Sequence, residues 1–195
     1  MKENLTIGFI GIGVMGKSMA THLLNDNYKV HVYTRTKTKA TKLLEKGAVW
    51  ADSPKAIADK CNFIITMVGY PKDVEEVYFH DGILDHAHAG TYCIDMTTSS
   101  PTLAKKIANA AKSKNLFALD APVSGGDIGA KNGQLAIMVG GEREVFEKAL
   151  PILQLLGTNI KLQGSAGAGQ YTKMCNQIVI ASNMMGECEA IVYAK

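Results

Sequence analysis

The feature that most constrains this chain is a glycine-rich turn between a short apolar run and an amphipathic pattern. In LTIGFIGIGVMGKSMATHLL, Gly11, Gly13 and Gly16 follow the apolar run directly, and apolar residues at helical spacing come next. The order of strand, GxGxxG turn and helix is typical of a dinucleotide-binding unit. Its glycines allow a tight turn, close approach of the backbone to a pyrophosphate, and close packing of the helix on the strand. Val14 and Met15 begin the helix, where free backbone amides face an anion, and they complete the predicted cofactor turn.

Apolar runs of strand length alternate with helical patterns through the rest of the chain. The strand candidates are LTIGFI, KVHVY, FIITMV, YCIDM, LFALD, LAIMV and NIKLQ. The clearest helices are SSPTLAKKIANAAKSK and GEREVFEKAL, and PILQLLG predicts a separate short helix that starts at Pro151. This alternation predicts an α/β fold of the Rossmann type, with a doubly wound and mostly parallel sheet.

The final segment, from Gln170 to Lys195, reads as one long helix that is apolar on nearly every side. Such a helix requires neighbours around it, and a pattern that stops without a cap, glycine or proline indicates the first part of a larger protein. We therefore expect a nucleotide-binding domain over residues 1–165 and the start of a long interdomain helix over 166–195. We also expect the chain to associate as a homo-oligomer.

The charge balance and the cysteine pattern argue against several classes of function. Lys and Arg number 21 against 18 Asp and Glu, and the net charge of +3 is too weak for a nucleic-acid footprint. The longest charge-free run near the end of the chain is shorter than a membrane span. The four cysteines form no CxxC pair, which favours a reduced, cytoplasmic chain. His86 and His88 have no third ligand at a sensible spacing, so no metal site is predicted.

The residues after KVHVY bear on the choice of cofactor. An acidic residue that forms a hydrogen bond with the ribose 2′-hydroxyl usually occurs about 20 residues after the glycines, and this sequence has no acidic residue at that position. The turn instead contains Thr34, Arg35, Thr36, Lys37 and Lys39, whose hydroxyls and cations suit a 2′-phosphate. A solvated basic turn is the alternative interpretation. The pattern predicts a preference for NADP(H), with NAD(H) as the second choice.

Three longer motifs are spread along the chain. GFIGIGVMG, DAPVSGGDIGAKNGQLAIMVGG and GAGQYTKMCNQ occur in this order, with ITMVGYP and IDMTTSSP between the first two. Together they make the chain resemble the β-hydroxyacid dehydrogenase family, which includes 3-hydroxyisobutyrate dehydrogenase, tartronate semialdehyde reductase and the glyoxylate and succinic semialdehyde reductases. The resemblance implies a Rossmann domain followed by an all-helical second domain that helps close the substrate site and mediates dimerisation. The resemblance therefore implies that this sequence ends before that second domain.

The same resemblance implies roles for individual residues. Lys173 matches the catalytic lysine, and Asn176 matches a substrate-positioning partner. The residues that match the substrate-binding loop are Ser124, Gly125 and Gly126. The residues that match the nicotinamide side of the cofactor site are Met67, Val68, and Thr97 or Thr98.

The placement and chemistry of these residues support these roles. Lys173, Asn176 and Gln177 share one face of a helix, so all three can point at one small ligand. Reduction of a carbonyl group needs a proton at oxygen as hydride reaches carbon, and a buried lysine with a lowered pKa can deliver it. The glycines beside Ser124 allow backbone amides to approach a carboxylate. Taken alone, Lys173 is also compatible with a stem lying along the surface, and the loop with a flexible connection.

The sequence favours an NAD(P)-dependent oxidoreductase that interconverts a small β-hydroxyacid and its semialdehyde or oxo acid, with Lys173 as general acid and base. A dinucleotide-binding sensor or scaffold without turnover is a different class, and the presence of both Lys173 and Asn176 argues against it. Imine reductases share the architecture, although the resemblance implies that they usually lack this lysine. A dehydrogenase of the 6-phosphogluconate kind would need further phosphate-binding cations. The identity of the small carboxylate-bearing substrate stays open.

Overall fold

The computed structural model describes residues 5–195. Within these residues, nine strands form one sheet. The strands are β1 (Thr6–Ile10), β2 (Lys29–Tyr33), β3 (Val49–Trp50), β4 (Phe63–Thr66), β5 (Tyr92–Asp95), β6 (Phe117–Asp120), β7 (Val123–Ser124), β8 (Leu135–Gly140) and β9 (Gly157–Gly164). The helices are α1 (Val14–Asn25), α2 (Thr41–Leu44), α3 (Pro54–Ala58), α4 (Pro71–Phe79), α5 (Ile83–His86), α6 (Pro101–Ser113), α7 (Gly126–Asn132), α8 (Arg143–Leu153) and α9 (Ala168–Tyr193).

The sheet has the strand order β3-β2-β1-β4-β5-β6-β8-β7, and β9 pairs with β8. Strands β1 to β6 pair in parallel, whereas β8 runs antiparallel to both β6 and β7. This topology confirms the predicted Rossmann-type, mostly parallel sheet. The strand order reverses between β1 and β4, and the crevice outside the carboxyl ends of these two strands is where such folds bind ligands.

The hydrophobic core lies on both faces of the sheet. On β4, Phe63 and Ile65 belong to one buried cluster, and Ile64 belongs to the other. Successive side chains of a strand point to opposite faces, so the sheet lies between two apolar layers. This arrangement explains why FIIT is apolar throughout rather than alternating.

The prediction of a separate helix at Pro151 is wrong. Helix α8 continues from Arg143 to Leu153 with Pro151 inside it. Proline has no N–H, so the bond from residue 151 to the carbonyl one turn earlier is lost. Pro151 lies in the last turn of α8, and the buried side chains of Ile152 and Leu153 hold this turn against the core.

Helix α9 is the predicted long terminal helix. Its buried residues, Gly169, Gln170 and Lys173, all lie in the first two turns. Further along, the exposed large apolar side chains are Ile178, Val179, Ile180, Met184, Met185, Ile191, Val192 and Tyr193. The described part of the chain therefore leaves most of this helix uncovered. Among residues 5–195, no helix meets the length and hydropathy needed to cross a membrane.

Candidate active site

The glycine-rich turn follows β1 and begins α1. Gly11 has a φ of +102°, a conformation that favours glycine, and a Cβ atom at this position would meet the carbonyl group of Met67. A Cβ atom on Gly16 would meet the carbonyl oxygen of Gly11. The close approaches at these two glycines are made within the protein, so the fold itself requires the first and the third glycine of the turn.

Gly13 has a different environment. No protein atom lies within 4 Å of the position that its Cβ would occupy, and its φ of −84° is open to any residue. It borders a cavity of about 540 Å³ that is also lined by Val14, Met15, Met67 and Val68. A glycine that the fold does not require, at the start of a helix and facing a cavity, fits close approach of the backbone to a dinucleotide pyrophosphate.

The residues after β2 form another wall of this cavity, which Thr34, Arg35, Thr36 and Lys39 line. Arg35 Nη1 lies 3.3 Å from Oδ1 of Asp73. The Arg35 side chain is 76% exposed, whereas that of Asp73 is 8% exposed. The guanidinium group is thus held from one side by a buried carboxylate and is accessible from the other.

Asp73 is a cavity residue that the sequence pattern did not indicate. It lies in the first turn of α4, where its Oδ2 accepts the backbone N–H of Tyr70 at 2.9 Å. Pro71 with the acidic Asp73 two residues later is a signal for the start of a helix, and this signal could have located α4. It could not have shown that Asp73 meets Arg35, because 38 residues separate the two.

The predicted nicotinamide-side residues follow the ends of β4 and β5. Met67 and Val68 line the cavity. Thr97 is buried, and its Oγ1 accepts the backbone N–H of Val68 at 3.0 Å. Thr98 is exposed. The structure therefore brings Val68 and Thr97 into contact through one hydrogen bond, and it leaves Thr98 at the surface beside them.

A buried carboxylate, Asp95, supports these strand ends. It accepts hydrogen bonds from Thr66 Oγ1 at 2.8 Å and from the backbone N–H of Thr97 at 3.1 Å. Burial raises the pKa of the Asp95 carboxyl to about 6, although the hydrogen bonds from Thr97 and Thr66 act in the opposite direction. The folded state therefore holds a proton on Asp95 more tightly than the unfolded chain does.

We expect the contribution of Asp95 to the free energy of unfolding to fall as the pH rises from about 4 to about 6. The contribution of Asp95 is fully present below its ordinary pKa of 3.8 and is lost as the pH passes its folded-state pKa of about 6. A difference of about two between these pKa values corresponds to about 3 kcal/mol. Urea unfolding across this pH range should show a smaller loss for Asp95→Asn than for the wild type. The exposed Asp52→Asn is the control, and a full wild-type loss in Asp95→Asn contradicts the expectation.

The predicted catalytic residues converge on one hydroxyl group. Lys173 Nζ donates a hydrogen bond to Ser124 Oγ at 2.8 Å, and Asn176 Nδ2 donates to the same atom at 2.9 Å. Lys173 is 7% exposed, and burial lowers the pKa of its ammonium group. Because Ser124 Oγ accepts both bonds, its own hydrogen is available to a ligand. The arrangement gathers an ammonium, an amide and a hydroxyl at one point.

The backbone of the loop after Ser124 is accessible to a ligand at Gly126. Gly125 and Gly126 have φ values of +130° and +61°, both in the region that favours glycine. A Cβ atom on Gly126 would meet nothing within 4 Å, so a ligand can approach the backbone there. Gln177 is exposed, one residue beyond the half-buried Asn176. A role in substrate binding stays a prediction for these residues.

Asp120 holds the first turn of α9 in place, and the sequence pattern did not indicate this role of Asp120. Its two carboxylate oxygens accept the backbone N–H groups of Gly167 at 2.7 Å and Gln170 at 2.9 Å. A carboxylate at this end of a helix satisfies amides that have no partner within the helix and interacts favourably with the helix dipole. A Cβ atom on Gly140 or on Gly169 would approach the Asp120 carboxylate closely. The position of Lys173 thus depends on a carboxylate from β6.

The two histidines considered as metal ligands have other partners. His86 Nε2 lies 2.5 Å from Oδ1 of Asp81, and His88 Nε2 lies 3.1 Å from the carbonyl oxygen of Asp59. Within the described residues, no group of three or more His, Cys, Asp or Glu side chains is placed to hold a metal ion.

A family profile and several known proteins are similar to this chain. The family profile described as the NAD binding domain of 6-phosphogluconate dehydrogenase matches residues 6–164. The chain is 66% identical over 191 residues to the uncharacterized oxidoreductase YkwC of Bacillus subtilis, and the match covers 97% of this chain and 66% of that protein. It is 40% identical over 191 residues to the 2-hydroxy-3-oxopropionate reductase of Escherichia coli, with 97% and 65% covered. The chain belongs to the β-hydroxyacid dehydrogenase family.

A solved structure of this family shows the same fold. The 3-hydroxyisobutyrate dehydrogenase of Mycobacterium tuberculosis, in a structure with L-serine, matches with a TM-score of 0.91 and 34% identity over 97% of this chain and 65% of that chain. The present chain therefore spans just under two thirds of the length of these relatives. Family membership confirms the resemblance carried by the motifs, and the profile that matches residues 6–164, which include the glycine-rich turn, describes an NAD binding domain.

Proposed function

We propose that this chain provides the cofactor site and the catalytic lysine of an NADP(H)-preferring oxidoreductase that interconverts a small β-hydroxyacid and its semialdehyde or oxo acid. The observation that carries the proposal is the convergence of Lys173 and Asn176 on Ser124 Oγ. A scaffold that only binds a dinucleotide has no use for a buried lysine here, since burial of a cation costs free energy. The names of two relatives, 2-hydroxy-3-oxopropionate reductase and 3-hydroxyisobutyrate dehydrogenase, support this class of substrate.

The cavity beside β1 fits the cofactor. Gly11 and Gly16 shape the turn, Gly13 and the first amides of α1 would hold the pyrophosphate, and Met67 and Val68 would lie on the nicotinamide side. A bound nicotinamide dinucleotide supplies hydride to the substrate carbon or accepts hydride from it.

In this proposal, Lys173 donates the proton in one direction of the reaction and accepts it in the other. In the reductive direction, its ammonium group donates a proton to the carbonyl oxygen of the substrate as the carbon gains hydride, and the lysine is left neutral. In the oxidative direction, the neutral amine takes the hydroxyl proton as hydride leaves the carbon. Both forms must be accessible near neutral pH, and the lowering of the Lys173 pKa by burial acts in this direction.

Ser124 and the two glycines after it are proposed to bind the substrate carboxylate. The hydroxyl hydrogen of Ser124 is available because its oxygen already accepts from Lys173 and Asn176. The left-handed conformations at Gly125 and Gly126 leave the backbone open, and successive amides in such a loop form a concave site for an anion. Asn176 would fix the orientation of Ser124 and of the substrate beside Lys173.

A cofactor-oxidation screen of the complete protein tests the proposed function. NADPH and NADH are each offered with small semialdehydes and 2-oxo acids, with the matching aldehydes that lack a carboxylate, and with cyclic imines. We expect turnover of at least one carboxylate-bearing carbonyl compound and much slower turnover of its analogue without the carboxylate. Turnover of imines alone would contradict the proposal.

Arg35→Ala is expected to weaken NADPH binding by about tenfold to about 150-fold, because a charge-assisted hydrogen bond contributes about 1.5–3 kcal/mol. NADH has no 2′-phosphate, so its affinity should change little. Calorimetric titration with both cofactors measures the difference. Arg143→Ala, an exposed position at the start of α8, is the matched control and should alter neither affinity. Equal losses for NADPH and NADH in Arg35→Ala would contradict the proposed preference.

The exposed apolar side chains of α9 support the proposal of a homo-oligomer. Apolar patches of this extent are uncommon on soluble monomers and mark sites of association. We expect the 195-residue chain to sediment as a concentration-dependent oligomer. Replacement of Ile178, Met185 and Val192 by polar residues should shift it toward monomer, while a dilute, stable monomer in the wild type would contradict this expectation.

All four cysteines are free, which supports a reduced compartment, and we propose the cytoplasm.

A further inference from the structure

Gln170 is a fully buried polar residue with no exposed surface, one helical turn before Lys173. Both polar atoms of its side-chain amide form hydrogen bonds to the loop after β5. Oε1 accepts the backbone N–H of Ser99 at 2.9 Å, and Nε2 donates to the backbone carbonyl of Thr97 at 2.7 Å. Its backbone N–H donates to Oδ2 of Asp120 at 2.9 Å. Gln170 therefore joins the loop after β5 to the first turn of α9.

The loop that Gln170 holds also reaches the nucleotide cavity. Thr97, whose carbonyl accepts from Gln170, accepts the N–H of Val68 with its own Oγ1 at 3.0 Å. Val68 lines the cavity. An unbroken series of bonds thus runs from Val68 through Thr97 and Gln170 to the helix that carries Lys173.

We propose that Gln170 is a positioning residue that sets the distance between the cofactor-side loop at Thr97 and the proton donor Lys173. The inference rests on the proposed function, since it assigns to Lys173 the transfer of a proton beside the cofactor. Hydride and proton transfer require both donors at one substrate carbonyl, and misplacement by about 1 Å can cost about 100-fold in rate. Gln170 contacts neither reacting group and acts by holding the loop and the helix in register.

The chemistry of the amide explains why a glutamine suits this place. The loop offers one donor, the N–H of Ser99, and one acceptor, the carbonyl of Thr97. A carboxylate of the same shape could accept from Ser99 but would face the Thr97 carbonyl with a second acceptor. A protonated carboxylic acid would again supply both a donor and an acceptor. A methionine of similar length would supply no strong hydrogen bond.

The test compares Gln170→Glu and Gln170→Met with the wild type in the complete protein. In the pH profile of kcat, Gln170→Glu should approach the wild type at low pH, where the acid is protonated, and fall progressively below it as the pH rises. Gln170→Met should be about 10-fold to about 100-fold slower at every pH. The NADPH dissociation constant should stay close to the wild-type value in both variants. A constant ratio of Gln170→Glu to wild type across the profile, or wild-type kcat in Gln170→Met, overturns the proposal.

A stability-matched variant separates positioning from general loss of structure. Val145→Ala removes two methyl groups from a buried position in α8, outside the proposed site. It should lower the melting temperature while leaving kcat unchanged. If Val145→Ala lowers kcat as much as Gln170→Met at a comparable melting temperature, Gln170 has only a structural role and the proposal fails.

A second measurement does not depend on turnover. NMR titration of isotopically labelled lysine side chains gives the pKa of Lys173 directly. We expect a higher Lys173 pKa in Gln170→Met than in the wild type, because a loosened first turn admits water to the ammonium group. Identical pKa values overturn the positioning role even if no substrate is turned over. Absence of turnover in the wild type, together with a raised Lys173 pKa in Gln170→Met, overturns the proposed function and supports the positioning role.

Discussion

Lys173→Ala is expected to reduce turnover by the complete protein about 10²–10⁴-fold, the usual contribution of a positioned general acid or base. The substitution removes the proton donor and one of the two hydrogen bonds to Ser124 Oγ. The cofactor cavity is lined by other residues, so NADPH affinity should be nearly unchanged. Steady-state kinetics and calorimetric titration give the two quantities. A variant that keeps a third of the wild-type rate would contradict the assigned role.

Lys173→Arg is the matched variant for this prediction. It keeps a cation and hydrogen-bond donors, but a guanidinium does not release its proton in proteins. Turnover should therefore stay close to that of Lys173→Ala. In the wild type, the reductive rate should fall as the pH rises through the Lys173 pKa, and the oxidative rate should rise over the same range. Burial places this change below the ordinary lysine pKa. Recovery of activity in Lys173→Arg would show that a positive charge at this position suffices for turnover, and it would contradict the role of Lys173 in proton transfer.

Gly13→Ala is expected to weaken binding of NADPH and NADH alike by about fivefold to about 150-fold, because overpacking typically costs about 1–3 kcal/mol. The added methyl group would occupy the space that the pyrophosphate is proposed to enter, since no protein atom lies within 4 Å of its position. The fold should not suffer, because a φ of −84° suits alanine and the unfolded chain loses entropy. Titration with each cofactor and thermal unfolding of the free chain measure the two effects.

Gly16→Ala separates the two roles of glycine in the turn. Its Cβ atom would meet the carbonyl oxygen of Gly11, so this variant should unfold at a lower temperature even without cofactor. Gly13→Ala should show the reverse pattern of wild-type stability and poor binding. If Gly13→Ala binds NADPH as tightly as the wild type does, the dinucleotide does not approach the backbone at that position.

Much of the fold could be predicted from short stretches of sequence. KVHVY became β2 with the same bounds, and SSPTLAKKIANAAKSK contains α6, whose Ser100 hydroxyl accepts the N–H of Leu103 at the helix start. Strands β3 and β7 have only two residues each, too few for an alternating pattern, and they were not predicted. Helix α4 was also not predicted, although Pro71 and Asp73 carry a start signal.

By itself, the sequence determined the glycine-rich turn, the mostly parallel sheet and the family, because glycine spacing, side-chain periodicity and motifs are local properties of the chain. The tertiary structure alone decided which distant residues support the site. Asp120 caps α9 from 47 residues away, and Gln170 binds Ser99 across 71 residues. These pairs meet because the sheet brings the carboxyl ends of β5 and β6 together at the start of α9. The structure also decided that Lys173 is buried, since a helix apolar on nearly all sides does not indicate in its sequence which face lies against the sheet.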